Sequence, residues 1–263
     1  MAKIARANQQ LDALEAEIAA APDYSDSITF EQKFDPDASA IEITLQGVPK
    51  LPLELGLLAA EPMQNLRAAI NYLAWELAKW NLAQQGEERE PDGRTQYPIN
   101  TKPREFSDYM VRDLHPNHIA IIKQMQPNEV DWLRQFADAG DRLREIPAVA
   151  FIGAHPLAQL ARLSNTDKHQ ALQPALVGGT EFKIGPYEGV DCEIGKASST
   201  LNLTLESGAH WSTVPVTRAG AKPKVKMDDR VTCQIVFAGG DMPLFRHIAK
   251  SVRDIVRSFE PIF

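Results

Sequence analysis

The sequence predicts an α+β protein: a helical middle, a β-rich section and a closing helix. Three observations carry this. Leu66, Ile70, Leu73, Leu77 and Trp80 recur at helical spacing, and so do Leu244, Ile248, Val252, Ile255 and Phe259. After residue 175 the chain breaks into short, β-branched runs bounded by turn residues. Near the start, "SITFEQKF" and "AIEITLQG" alternate apolar and polar residues around "DPDAS", the pattern of a β-hairpin.

The elements follow in order. Ile4, Leu11, Leu14 and Ile18 give an amphipathic helix over about 3–20, with Pro22 past its end. The hairpin comes next, then "VPKLPLELG", a proline-punctuated connection. The first long stripe predicts a helix over 62–80, with Glu61 and Pro62 suited to its first turn. "QQGEEREPDGRTQ" reads as an exposed loop, and 97–114 as irregular chain with a short helical turn. "PNHIAIIKQMQP" is a helix between two prolines, 128–137 a helical patch, and 155–171 a helix with Pro156 in its first turn and Pro174 as its stop. "EFKIG", "VDCEIGK", "STLNLTLES", "HWSTVPVT" and "KVKMDDRVTCQIVFAGG" are the strand candidates, and the last stripe gives a helix over 242–259. "VGGT" and "FAGGD" lack the Gly-Lys-Ser/Thr of a phosphate loop and read as turns. The chain is taken as one domain over 1–263: a helical core at 55–175, a β section at 176–240 and the final helix.

Composition excludes some roles. The net charge of −7 argues against a dedicated duplex-DNA binder. Cys192 and Cys233 are the two cysteines, without CxxC spacing, and are expected to be reduced thiols. No apolar run is long enough for a membrane span, and "MAKIARANQQ" lacks the apolar core of a signal peptide. The expectation is a cytoplasmic protein without metal or cofactor. His115 and His118 are i, i+3, but no further ligand lies in reach. Arg218, Lys222, Lys224, Lys226 and Arg230 form a basic stretch that reads as a solvated loop or a phosphate contact.

"RLSNTDKH" holds the candidate chemistry. Arg162, Asn165 and His169 fall three and four residues apart, so a helix puts them on one face. Arg offers a fork for phosphate oxygens, and His moves a proton near neutral pH. Metal-independent RNA cleavage needs these parts, because the nucleophile is the RNA's own 2′-hydroxyl. The alternative is a polar seam: Glu61, Asn65, Arg67 and Asn71 beside the first stripe, facing Asn165, Asp167, Lys168 and His169.

"QNLRAAINYLAW", the Tyr97-Pro98-Ile99 step, and "LSNTDKHQAL" resemble a group of uncharacterised bacterial and phage proteins with HNLRSALDHLAW and NxxDKHR motifs. The resemblance covers about 55–175. Gln64, Asn71, Tyr72 and Gln170 depart from it, each removing a titratable or charged group. The architecture is similar to the HEPN superfamily, many of whose members are metal-independent ribonucleases with an Arg, four to six residues, then a His. Arg162 and His169 match that spacing, although Leu163 stands where a polar residue usually follows the arginine. What the resemblance implies is a HEPN-like helical core, a homodimer, and RNA or a nucleotide as partner. Two functions stay open: a binding or regulatory protein with a structural seam, and a toxin-like endoribonuclease using Arg162 and His169.

Overall fold

The computed structural model describes residues 1–101, 106, 108–128, 153–169, 172–180, 203–215, 231–237 and 240–260. The elements run α1 (Ala2–Ala20), β1 (Thr29–Asp35), β2 (Ala40–Gln46), α2 (Leu53–Gln84), α3 (Asp108–Val111), α4 (Pro116–Gln124), α5 (Pro156–His169), β3 (Pro174–Thr180), β4 (Leu203–Thr204), β5 (His210–Pro215), β6 (Val231–Phe237) and α6 (Met242–Arg257). The fold is α+β, with the N-terminal hairpin, a later antiparallel sheet and the closing helix. The helical patch at 128–137, "EFKIG", "VDCEIGK", Cys192 and the basic stretch at 218–230 lie outside the described residues.

The chain forms two compact units. One is 1–16, 56–172 and 240–263; the other is 17–55 and 173–239. Each is assembled from segments far apart in sequence, so neither shows as a change of composition along the chain.

Among the described residues, the second unit holds two three-stranded antiparallel sheets, ordered β1-β2-β5 and β4-β3-β6. The hairpin turn forms because the Asp35 carboxylate accepts the amides of Asp37 and Ala38 at 2.9 and 3.2 Å, fixing the bend. Alternation then sends Ile41, Ile43 and Leu45 of β2 to one face, where they share a core with Val214, Leu176 and Leu205. β3 corrects two expectations. Pro174 opens a strand rather than only stopping a helix, and "VGGT" lies within that strand rather than in a turn. Each of its residues from Pro174 to Thr180 pairs with β6, so flanking strands hold the glycines extended.

Gly47 follows β2 at φ +68, and a Cβ there would lie 2.7 Å from the Ser27 carbonyl oxygen. Gly47→Ala is expected to cost about 1–2 kcal/mol through left-handed strain and this clash. The check is the urea midpoint, and an unchanged midpoint would contradict it.

In the helical unit, α1 buries Ile4, Ala7, Leu11 and Leu14. Of the apolar stripe read in the sequence, Ile4, Leu11 and Leu14 are covered by the chain itself and Ile18 is half-buried. α2 corrects a boundary: it starts at Leu53, so Glu61 and Pro62 sit in its interior, not its first turn. An interior proline costs about 3 kcal/mol. Continuity is maintained because Ala59, Ala60, Met63 and Leu66 on both sides of it are buried, and breaking the helix would expose them. α5 packs against α6, and Arg246 of α6 bonds Asp12 and Glu15 of α1. The loop after α2 is anchored as well as exposed. Buried Asp113 accepts Arg89 at 2.9 and 3.3 Å and the Asp92 amide at 2.9 Å.

Candidate functional site

The polar residues of α2 point to different neighbours from those the sequence suggests. Gln10 of α1 bridges two of them: its Nε2 donates to Glu61 at 2.5 Å, and its Oε1 accepts from Asn65 at 2.8 Å. Arg67 and Asn71, four apart on one face, both grip the backbone of Tyr97. Arg67 Nη2 donates to the Tyr97 carbonyl at 3.2 Å, and the Tyr97 amide donates to Asn71 Oδ1 at 3.3 Å. So the Asn65, Arg67 and Asn71 side chains bond α1 and the Tyr97 segment. A helical wheel fixes which residues share a face. It does not say which segment lies against it.

The link to α5 comes from Gln64, whose Nε2 donates to the Ser164 carbonyl at 2.9 Å. α2 and α5 are thus joined next to Asn165, but through a main-chain oxygen and a residue noted only as a departure from the motif. The two motif-bearing helices do meet, as the paired motifs suggest.

The environment of Tyr97 is dry. Its side chain is fully buried, and burial pushes the phenol well above its usual range. Burial also holds the Arg67 guanidinium below its ordinary value, and its Nη1 is enclosed without a hydrogen-bond partner. Among the described residues no carboxylate pairs with that cation. Nearby, the Asn100 amide donates to Gln126 Oε1 at 2.9 Å, while Gln126 Nε2 donates to the Ile122 carbonyl at 3.0 Å. This buried glutamine, in the "QMQP" stretch that also belongs to the resemblance, pins the segment after Tyr97 to the end of α4.

On α5, Arg162 and Asn165 are both exposed. Arg162 donates through Nε and Nη2 to Gln159 Oε1 at 3.0 and 2.7 Å, one turn back on its own helix. Asp167, Lys168 and His169 belong to the last turn of α5, and their side chains lie outside the described residues.

The histidines form caps and packing. His115 and His155 each precede a proline at a helix start, and each Nδ1 accepts an amide two residues on: Asn117 at 3.2 Å and Leu157 at 3.1 Å. The repeated His-Pro was a readable signal of an N-cap followed by Pro at N1. His118, the other half of the weak metal pair, is buried against Trp80, His115 and Phe259. Among the described residues no group of three or more His, Cys, Asp or Glu could hold a metal, and no helix is long and apolar enough to cross a membrane. Cys233 is a free, half-buried thiol raised by burial and by Asp23.

No protein-family model, curated protein or solved structure matches the chain.

Proposed function

We propose that the chain is a HEPN-like binding or regulatory protein of a bacterial or phage system, whose motif residues hold its helices in register rather than cut RNA. One observation carries this: Gln64, Asn65, Arg67 and Asn71 of the first motif all hydrogen-bond within the helical unit, two of them to the same buried residue. Groups engaged in this way are not presented to a substrate.

A second reading, the metal-independent endoribonuclease, is favoured by the exposure of Arg162 and Asn165 one turn apart on the helix that ends at His169. Incubation with mixed-sequence RNA in EDTA separates the two. The binding protein leaves the RNA whole. A nuclease would cut it, and His169→Ala would slow cleavage by about 10²–10⁴. Cleavage by wild type that is lost in His169→Ala would overturn the first reading. Pairing of two copies rests on the HEPN resemblance, and light scattering tests it against the 29.2 kDa of one chain.

A further inference from the structure

The first turn of α1, the 69–76 stretch of α2 and the end of α6 line a groove of about 430 Å³, all within the helical unit. Its apolar bottom is made by Ile4, Ala69 and Leu73, each at most 9% exposed. Val256 closes the third side. Two large apolar side chains of the lining are not covered: Met1 is 64% exposed and Tyr72 57%. The charges around the groove are uneven. Lys3 lines it on α1, and Arg6 follows three residues later on the same side of that helix. On α6, Arg253 stands one turn before Val256 and Arg257 directly after it. None of these four cations forms an ion pair among the described residues. Glu76 of α2 is the one carboxylate in the lining. Asp254 is about 160° round α6 from Val256, so it faces away. An apolar hollow with a basic border on two of its three helices therefore stands open on an acidic chain.

We propose that this groove docks an acidic amphipathic helix of a partner protein, with apolar anchors in the hollow and carboxylates against Lys3, Arg253 and Arg257. The inference goes beyond the function proposed above and does not rest on it, since no residue of the groove belongs to α5. Exposed rim and hollow together favour a protein. A small apolar ligand would fill the hollow but leave the outer faces of Met1 and Tyr72 in water, whereas a protein surface covers both. Tyr, Met and Arg are also the residue types enriched where proteins meet. A flat lipid surface does not enter a hollow, and anionic head groups would meet Glu76. The walls are three helices and offer no strand edge, so the docking segment satisfies its own backbone as a helix. Charge then sets its direction. The acidic side of the segment faces α1 and α6, where the cations are, and its uncharged side faces Glu76.

The test is fluorescence anisotropy of a labelled peptide of about 14 residues, four helical turns, titrated with the full chain. The peptide consists of Leu, Ala and Glu, with Leu at i, i+3, i+4 and i+7 as anchors. Saturable binding is expected, weakened about 3- to 10-fold between about 50 and 200 mM salt. Replacing every Glu of the peptide by Lys should weaken it at least about tenfold. Tyr72→Ser should also weaken it at least about tenfold, the effect of losing an aromatic anchor. Glu76→Lys should tighten it about threefold, a gain that damage to the fold does not mimic. Both side chains are exposed, so both variants should keep the wild-type circular dichroism; if Tyr72→Ser does not, Glu76→Lys and the two peptides decide. The proposal is overturned by no binding at the lower salt, by equal binding of the basic peptide, or by affinities unchanged in both variants. It is also overturned if dodecanoate or phosphatidylserine vesicles bind while the peptide does not. A dimer in light scattering that Tyr72→Ser converts to monomer would overturn it too, because a second copy would then fill the groove. Cleavage of RNA would defeat the non-catalytic reading and leave this groove as it stands.

Discussion

Alanine in place of Tyr97 is expected to destabilise the helical unit by about 3–5 kcal/mol, the range for removing a large buried ring. The ring is fully enclosed, so truncation leaves a cavity as well as losing the transfer energy. Its backbone is the shared partner of Arg67 and Asn71. Loosening the segment would leave an enclosed amide oxygen and a guanidinium, already short of partners, without their bonds. Tyr97→Phe should cost less than about 1 kcal/mol, because among the described residues the hydroxyl reaches only the weak acceptor Met125 Sδ at 3.9 Å. Urea titrations followed by far-ultraviolet circular dichroism separate the two variants. An alanine variant as stable as the phenylalanine one would mean that this segment does not anchor the unit.

Tyr97 also shows what could be read in the sequence and what could not. The helices were legible because burial repeats every 3.6 residues, as in Leu66, Ile70, Leu73 and Leu77, all buried. The start of α2 was not, because Pro62 carries the mark of a first turn, and only burial on both sides of it overrides that mark. The polar residues of α2 were read with α5 as their partner, whereas Asn65, Arg67 and Asn71 bond α1 and the Tyr97 segment. The groups that bind Arg67 and Asn71 are a main-chain N–H and C=O, which every residue but proline possesses and no side-chain pattern advertises. Strand pairing fails for a related reason. Alternation places Ile41 and Ile43 on a buried face, but nothing local says that β2 pairs with β5, Ile41 opposite Val214. That choice is made by distant residues together.

Lowering the pH from 7.5 to 4.5 is expected to remove about 2 kcal/mol of stability through His155, with His118 acting in the same direction. Burial, with His247 adding repulsion, depresses His155 to about 4 from 6.5. His118 is lowered in the same direction by burial and by His115. The His155 ring is therefore neutral in the folded chain at pH values where the unfolded chain already binds a proton. Stability is intact above about 6.5. It falls as the pH drops from there towards the folded value, about 4 for His155. A displacement of that size corresponds to about 3 kcal/mol, reduced to about 2 by partial exposure of the ring. The geometry gives the same direction. Nδ1 of His155 must stay unprotonated to accept the Leu157 amide, and a proton there would also place positive charge at the positive end of α5. Asp113, held below the usual carboxylate range first by its hydrogen bond to Arg89, adds its loss only at lower pH. His155→Asn keeps a cap acceptor and removes the titrating group. Its stability should change less than that of wild type between pH 7.5 and 4.5, leaving mainly the part due to His118. Equal losses in the two proteins would show that this cap does not set the acid limit of the fold.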